Sequence, residues 1–115
     1  ARMLVLGVAF KRDVDDTRHS PALRVMELLL DDGIRNLTYN DPFVPSVELR
    51  GKTYRSKKLT PELIAGVDCV VITTDHSQYD YNMIVKHARC VIDTRNATKS
   101  VKGAKKNVAV LGDGK

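Results

Sequence analysis

Residues 3–23, MLVLGVAFKRDVDDTRHSPAL, decide the fold: an apolar run stops abruptly at Phe10 and Lys11, and a charged loop then leads into Ser20-Pro21. Met3 to Ala9 is too short and too β-branched for a helix and reads as a strand buried on both faces. Ser20 offers a hydroxyl to orphan helix amides, and Pro21 brings an already helical φ to the first helical position. In an open α/β sheet, ligands gather at the carboxyl ends of the strands, so Phe10, Lys11 and Arg18 fall where a ligand would sit.

Outward from this stretch the same grammar repeats. Pro21 to Asp32 carries Ala22, Val25, Met26 and Leu29 at helical spacing, with Gly33 placed to end the helix in a left-handed turn. Asn36 to Asn40 reads as a short strand, broken by Asp41-Pro42 and Pro45. Val47 to Arg55, with Gly51-Lys52 between two part-apolar stretches, is either a small hairpin or a loop. Thr60-Pro61-Glu62 opens a short helix to Ala65, closed by Gly66. Asp68 to Thr74 is a second buried strand, Asp80 to His87 a helix with Tyr81, Ile84 and Val85 on one side, Cys90 to Asp93 a third apolar strand, and Asn107 to Leu111 an edge strand.

Apolar strands alternating with helices imply an α/β fold: a doubly wound, mostly parallel Rossmann-like sheet with helices on both faces, its strands ordered 2-1-3-4-5. Right-handed connections then open a crevice between the first and third strands. Its expected rim is Phe10, Lys11 and the loop to Arg18, then Thr74, Asp75 and His76, then Asp93, Thr94 and Arg95.

A chain of 115 residues, 43% hydrophobic and 29% charged, builds one core, so residues 1–115 are expected to form a single domain. The longest apolar runs, Met3 to Phe10 and Val67 to Thr74, fall far short of the roughly 20 residues a membrane span needs. With no signal peptide at the start, the expectation is a soluble, cytoplasmic protein with no membrane partner. The net charge of +5 favours an anionic partner without naming it. Much of that charge lies in Arg50 to Lys58 and Lys99 to Lys106, which read first as solvated loops or solubility charge. Cys69 and Cys90 sit inside or at the mouth of strand-like runs, as small hydrophobes rather than a disulfide framework.

A dinucleotide cradle needs glycines in a tight turn before a helix, and this sequence has none. Gly7 falls within the expected strand, and Asp13, Asp15 and Asp16 in the following loop would repel an anion there. Phosphate binding therefore has to use side chains, with Lys11 as a point charge and Arg95 as a planar fork. Each charge-assisted contact contributes about 1.5 to 3 kcal/mol, and an ion pair with a nearby aspartate is the competing reading of each cation.

Asp13-Val14-Asp15-Asp16-Thr17 fits D-x-D-x-T, the phosphoryl-accepting loop of haloacid-dehalogenase-like, magnesium-dependent phosphatases. In those enzymes the nucleophilic aspartate directly follows its strand, whereas here Lys11-Arg12 intervene. A basic nucleic-acid-binding domain is a second alternative, but two phenylalanines and four tyrosines without regular spacing supply no stacking platform. His19, His76 and His87 have no metal-ligand spacing, and no G-x-S-x-G elbow is present. Neither a metal site nor a nucleic-acid partner is expected.

At GVAFKRDVDDTRHSPALRVMELL, and again at YNDPFVP, DCVVITTDHSQYD and CVIDTRNA, the sequence resembles the carboxyl-terminal, UDP-binding domain of the UDP-glucose and GDP-mannose dehydrogenase family. The resemblance covers essentially the whole chain. It implies a parent enzyme that oxidises the C6 alcohol of a nucleotide sugar to a carboxylate in two NAD-dependent steps, in polysaccharide biosynthesis. It also implies amino-terminal and central domains as partners, an excised or longer parent chain, and a homodimer or higher assembly. No catalytic residue is expected here, since neither Cys69 nor Cys90 lies in the family's cysteine motif. By resemblance, Phe10 and Lys11 contact the UDP-sugar, Arg95 its nucleotide end, and Arg18 reaches toward NAD held mainly by the amino-terminal domain. Asp93-Thr94-Arg95-Asn96-Ala97 looks like members acting on UDP-N-acetylhexosamines. The resemblance gives Asp75 and His76 no role.

Overall fold

Strand β1 (Arg2–Leu6) runs through the interior of the sheet, flanked in parallel by β2 (Asn36–Asn40) and by β5 (Cys69–Ile72). The computed structural model describes residues 1–9, 20–101, 103 and 106–110. Beyond β5 the sheet continues with β6 (Val91–Asp93) and β7 (Val108–Val110), all parallel, in the order β2-β1-β5-β6-β7. Setting aside a separate hairpin, this is the order 2-1-3-4-5 expected from the sequence.

Side chains alternate across β1. Met3 and Val5 enter the layer under helix α1 (Pro21–Asp31), where Ala22 and Met26 are buried with Leu37 and Tyr39. Leu4 and Leu6 enter the opposite layer, under α2 (Pro61–Gly66) and α3 (Tyr81–His87), with Ile64, Val70, Ile72, Ile84 and Val91. Helices cover both faces because each interior strand is apolar on both.

The helix boundaries follow local chemistry. Ser20 Oγ accepts the Ala22 amide at 3.2 Å, and Pro21 occupies the first turn. At the other end, the amides of Gly33 and Ile34 return to the carbonyls of Leu30 and Leu29 with Gly33 at φ +89°, a Schellman closure. Thr60 and Asp80 cap α2 and α3 through the Leu63 and Met83 amides.

The open choice at Val47 to Arg55 resolves to a hairpin, β3 (Ser46–Leu49) against β4 (Lys52–Arg55). Arg50 and Gly51, at φ +54° and +77°, make its two-residue turn. One boundary needs correction: the first strand ends at Leu6, and Gly7 lies outside it at φ +86°. A β-carbon there would lie 2.4 Å from that of Thr74, so the close approach of β1's exit to the turn after β5 requires glycine.

Candidate nucleotide site

Because the five sheet strands are parallel, the ends of β1, β2, β5 and β6 open on one edge, and the chain crosses from one side of β1 to the other between β2 and β5. This is the switch point at which a crevice forms. Its walls are the segment after Leu6, the turn at Asp41, the turn at Thr73 to His76, and the turn after Asp93.

The exit of β1 is irregular yet fully bonded. The Gly7 amide donates to the Asn40 carbonyl at 2.9 Å, and the amides of Val8 and Ala9 both donate to Asp41 Oδ2, at 2.8 and 3.1 Å. The three carbonyls accept hydroxyls: Gly7 from Thr73, Val8 from Ser20 at 2.6 Å, Ala9 from Thr74 at 2.7 Å. A buried non-repetitive segment is stable only when such groups are satisfied, and here the end of β2 with Asp41, the turn after β5 and the α1 cap supply the partners. Ser20 thereby does two tasks, starting α1 and tying its entry to Val8.

Asp41 is the hub. Its Oδ1 accepts the Phe43 amide at 2.8 Å, and Oδ2 also meets His76 Nε2 at 2.8 Å, with both side chains fully buried. Burial pushes the Asp41 carboxyl up, but the bonds from His76, Phe43 and Val8 outweigh it and hold the group below the usual carboxylate range. Sequence reading treated Asp41 only as a strand breaker. The available signal was an acidic residue directly after a buried strand, at the ligand edge of the sheet.

Across the crevice, Asp93 organises the turn after β6. Its Oδ1 accepts the amides of Arg95 and Ala97, both at 3.0 Å, and its Oδ2 accepts the Thr98 amide at 2.8 Å and hydroxyl at 2.7 Å. Burial raises this carboxyl and the four donors lower it, with the net result below the ordinary value. The Thr94 hydroxyl donates to the Ile72 carbonyl at 2.7 Å, and Asn96 takes φ +55°. Arg95 is thus displayed from a rigid turn, its side chain 50% exposed and its Nε 3.7 Å from Asp75 Oδ1.

Of the expected rim, Arg95 and Thr94 stand where the sequence put them, and Asp75 faces Arg95. Thr74, His76 and Asp93 instead point inward, being 2%, 0% and 0% exposed, and support the walls rather than line them. Phe10, Lys11 and Arg18, and the alternative nucleophiles Asp13 and Asp15, lie outside the described residues. Among the described residues no group of three or more His, Cys, Asp or Glu side chains is placed to hold a metal ion, and no helix is long and apolar enough to cross a membrane.

A family model described as the UDP-glucose/GDP-mannose dehydrogenase family, UDP binding domain, matches residues 4–100. The chain belongs to this family. It is 38% identical over 104 residues to the UDP-N-acetyl-D-mannosamine dehydrogenase of Pyrococcus horikoshii, covering 86% of this chain and 22% of that protein. It is 32% identical over 107 residues to the UDP-glucose 6-dehydrogenase of Rickettsia bellii, covering 84% of this chain and 24% of the relative. A solved structure of the UDP-D-ManNAc dehydrogenase from Pyrococcus horikoshii superposes with a TM-score of 0.69 at 28% identity, over 99% of this chain and 25% of that one. The chain therefore spans about a quarter of the length of these dehydrogenases and corresponds to their UDP-binding domain. The family match runs through the D-x-D-x-T segment itself, which assigns that segment to the UDP-binding domain and displaces the phosphatase alternative.

Proposed function

We propose that residues 1–115 form one domain that holds the nucleotide of a UDP-sugar for an NAD-dependent 6-dehydrogenase, a longer protein that converts the sugar C6 alcohol to a carboxylate. Phe10 and Lys11 grip the nucleotide sugar from the β1 side and Arg95 meets its nucleotide end from the β6 side. Arg18 reaches toward NAD. The sequence lacks a glycine-rich dinucleotide turn, so this chain does not cradle NAD itself, and hydride chemistry belongs to the cofactor bound by another domain. The parent works in the cytoplasm as a homodimer or larger assembly and feeds polysaccharide synthesis.

The observation that supports this reading most is Arg95, half-exposed on a turn braced by Asp93 at the switch-point edge of the sheet. A guanidinium so placed presents a planar donor pair to a phosphate or carbonyl. The sugar is proposed to be an N-acetylhexosamine. Its support is the Asp93 to Ala97 string together with relatives named UDP-N-acetyl-D-mannosamine dehydrogenase.

Calorimetry with UDP tests the assignment. Half of a composite pocket binds weakly, and the expected Kd is high micromolar to millimolar, roughly −4 to −6 kcal/mol. Arg95→Ala and Lys11→Ala should each weaken binding by about fivefold or more. Unchanged affinity in both variants contradicts the assignment.

A further inference from the structure

We infer that His76 is a positioning residue for nucleotide binding, acting through Asp41 on the backbone of Val8 and Ala9, which form the β1 wall of the site. The inference rests on the proposed UDP site and adds to it a residue to which the family resemblance gave no role.

The His76 ring is wholly buried, between Phe43 at 5.0 Å and Tyr79 at 5.8 Å between ring centroids. An imidazole in such surroundings needs a polar partner, and His76 Nε2 finds it in Asp41 Oδ2 at 2.8 Å. That same oxygen is the acceptor for the amides of both Val8 and Ala9. One carboxylate oxygen therefore gathers three donors, and the Val8 and Ala9 amides keep their acceptor only while that oxygen stays unprotonated and in place. A buried carboxylate stripped of its imidazole partner tends to take up a proton, and a hydroxyl facing two N–H groups is a poor acceptor.

The other side of His76 is also anchored. Its carbonyl accepts the Tyr81 hydroxyl at 2.9 Å and the Tyr79 amide at 3.3 Å. The imidazole thus transmits the fixed entry of α3 to the far side of the crevice. Its neighbour Asp75 meets Arg95, so two consecutive residues of the β5 turn reach opposite walls of one site. Holding two walls in register before a ligand arrives lowers the ordering cost of binding.

Three variants of this chain test the inference: His76→Phe, which keeps a planar ring without a donor, His76→Gln, whose amide nitrogen can replace Nε2, and Asp41→Asn. UDP affinity by calorimetry, hydrogen exchange at single amides, and urea unfolding are measured for each. His76→Phe and Asp41→Asn should weaken UDP binding roughly tenfold, equivalent to about 1.4 kcal/mol. Both should speed exchange at Val8 and Ala9 while leaving Val91 and Ile92 protected. His76→Gln should bind within roughly threefold of the parent chain, a rescue that bulk packing does not provide. If His76→Phe fails to fold, the contrast between Asp41→Asn and His76→Gln decides. Parental affinity in Asp41→Asn, or equal losses in His76→Gln and His76→Phe with exchange accelerated evenly over the sheet, overturns the inference. Failure of the parent chain to bind UDP overturns the site assignment, and unaltered Val8 and Ala9 exchange in the variants overturns the linkage separately.

Discussion

Arg95 Nε lies 3.7 Å from Asp75 Oδ1, across the gap between the turns that follow β6 and β5. Arg95 is half-exposed while Asp75 is 14% exposed, so a largely buried carboxylate steadies a guanidinium that still faces solvent. An anionic ligand has to share that guanidinium with Asp75.

Removing the competing charge should therefore favour the ligand. Asp75→Asn is expected to tighten UDP binding by about twofold to fivefold, a modest gain because water screens the exposed partner. Titrations at low and moderate ionic strength measure it. Weaker binding in Asp75→Asn would mean that the carboxylate orients Arg95 more than it competes for it.

Gly7→Ala addresses the geometry that brings the β1 and β5 walls together. The new methyl would meet the Thr74 β-carbon at 2.4 Å and its carbonyl oxygen at 2.6 Å, at a backbone φ of +86° that alanine rarely adopts. Neither neighbour is the end of a flexible chain. A loss of about 2 kcal/mol or more is expected in urea unfolding, since clash and left-handed strain act together.

The architecture was readable in the sequence because it rests on periodicity. Val70-Val71-Ile72 and Leu4-Val5-Leu6 are apolar on both faces, and proline after serine or threonine starts α1 and α2. Arg95 was readable as a cation just past a buried strand. What escaped the sequence was direction. His76 and Asp93 stand at strand ends like ligand contacts, and only the three-dimensional path turns them inward toward partners 35 and 5 residues distant. Asp41 was missed for the same reason: its partners Val8 and Ala9 lie 33 and 32 residues away, and no local pattern encodes such a bond.

The two buried carboxylates set the response to acid. Asp41 and Asp93 both titrate below their ordinary value in the folded chain, so each adds stability that is complete above the unfolded-state value, about pH 4, and lost as pH falls through the folded one. Asp93→Asn should flatten the stability curve below about pH 4 relative to the parent chain. At neutral pH it should cost about 2 to 3 kcal/mol, because an amide group faces donors that a carboxylate had satisfied. Urea midpoints measured between these conditions give both numbers.

Cys69 opens β5 and Cys90 immediately precedes β6, each one residue before the paired Val70 and Val91. Burial and the adjoining Cys90 thiol push the Cys69 thiol up to about 12, so it carries almost no thiolate at neutral pH. Cys90 is only partly buried. Iodoacetamide should alkylate Cys90 first and reach Cys69 only in denaturant, as mass spectrometry of peptides will reveal. Equal labelling of both in the folded chain would contradict the packing described for β5.

If the exits of β1, β5 and β6 form one UDP site, amide NMR of this chain titrated with UDP will register all three together. Shifts should concentrate at Val8, Ala9, Asp75, Thr94, Arg95 and Ala97, with saturation at a single Kd and a reduced response in Lys11→Ala. Shifts confined to the basic segment from Arg50 to Lys58, with the strand-end turns silent, would contradict a shared UDP site.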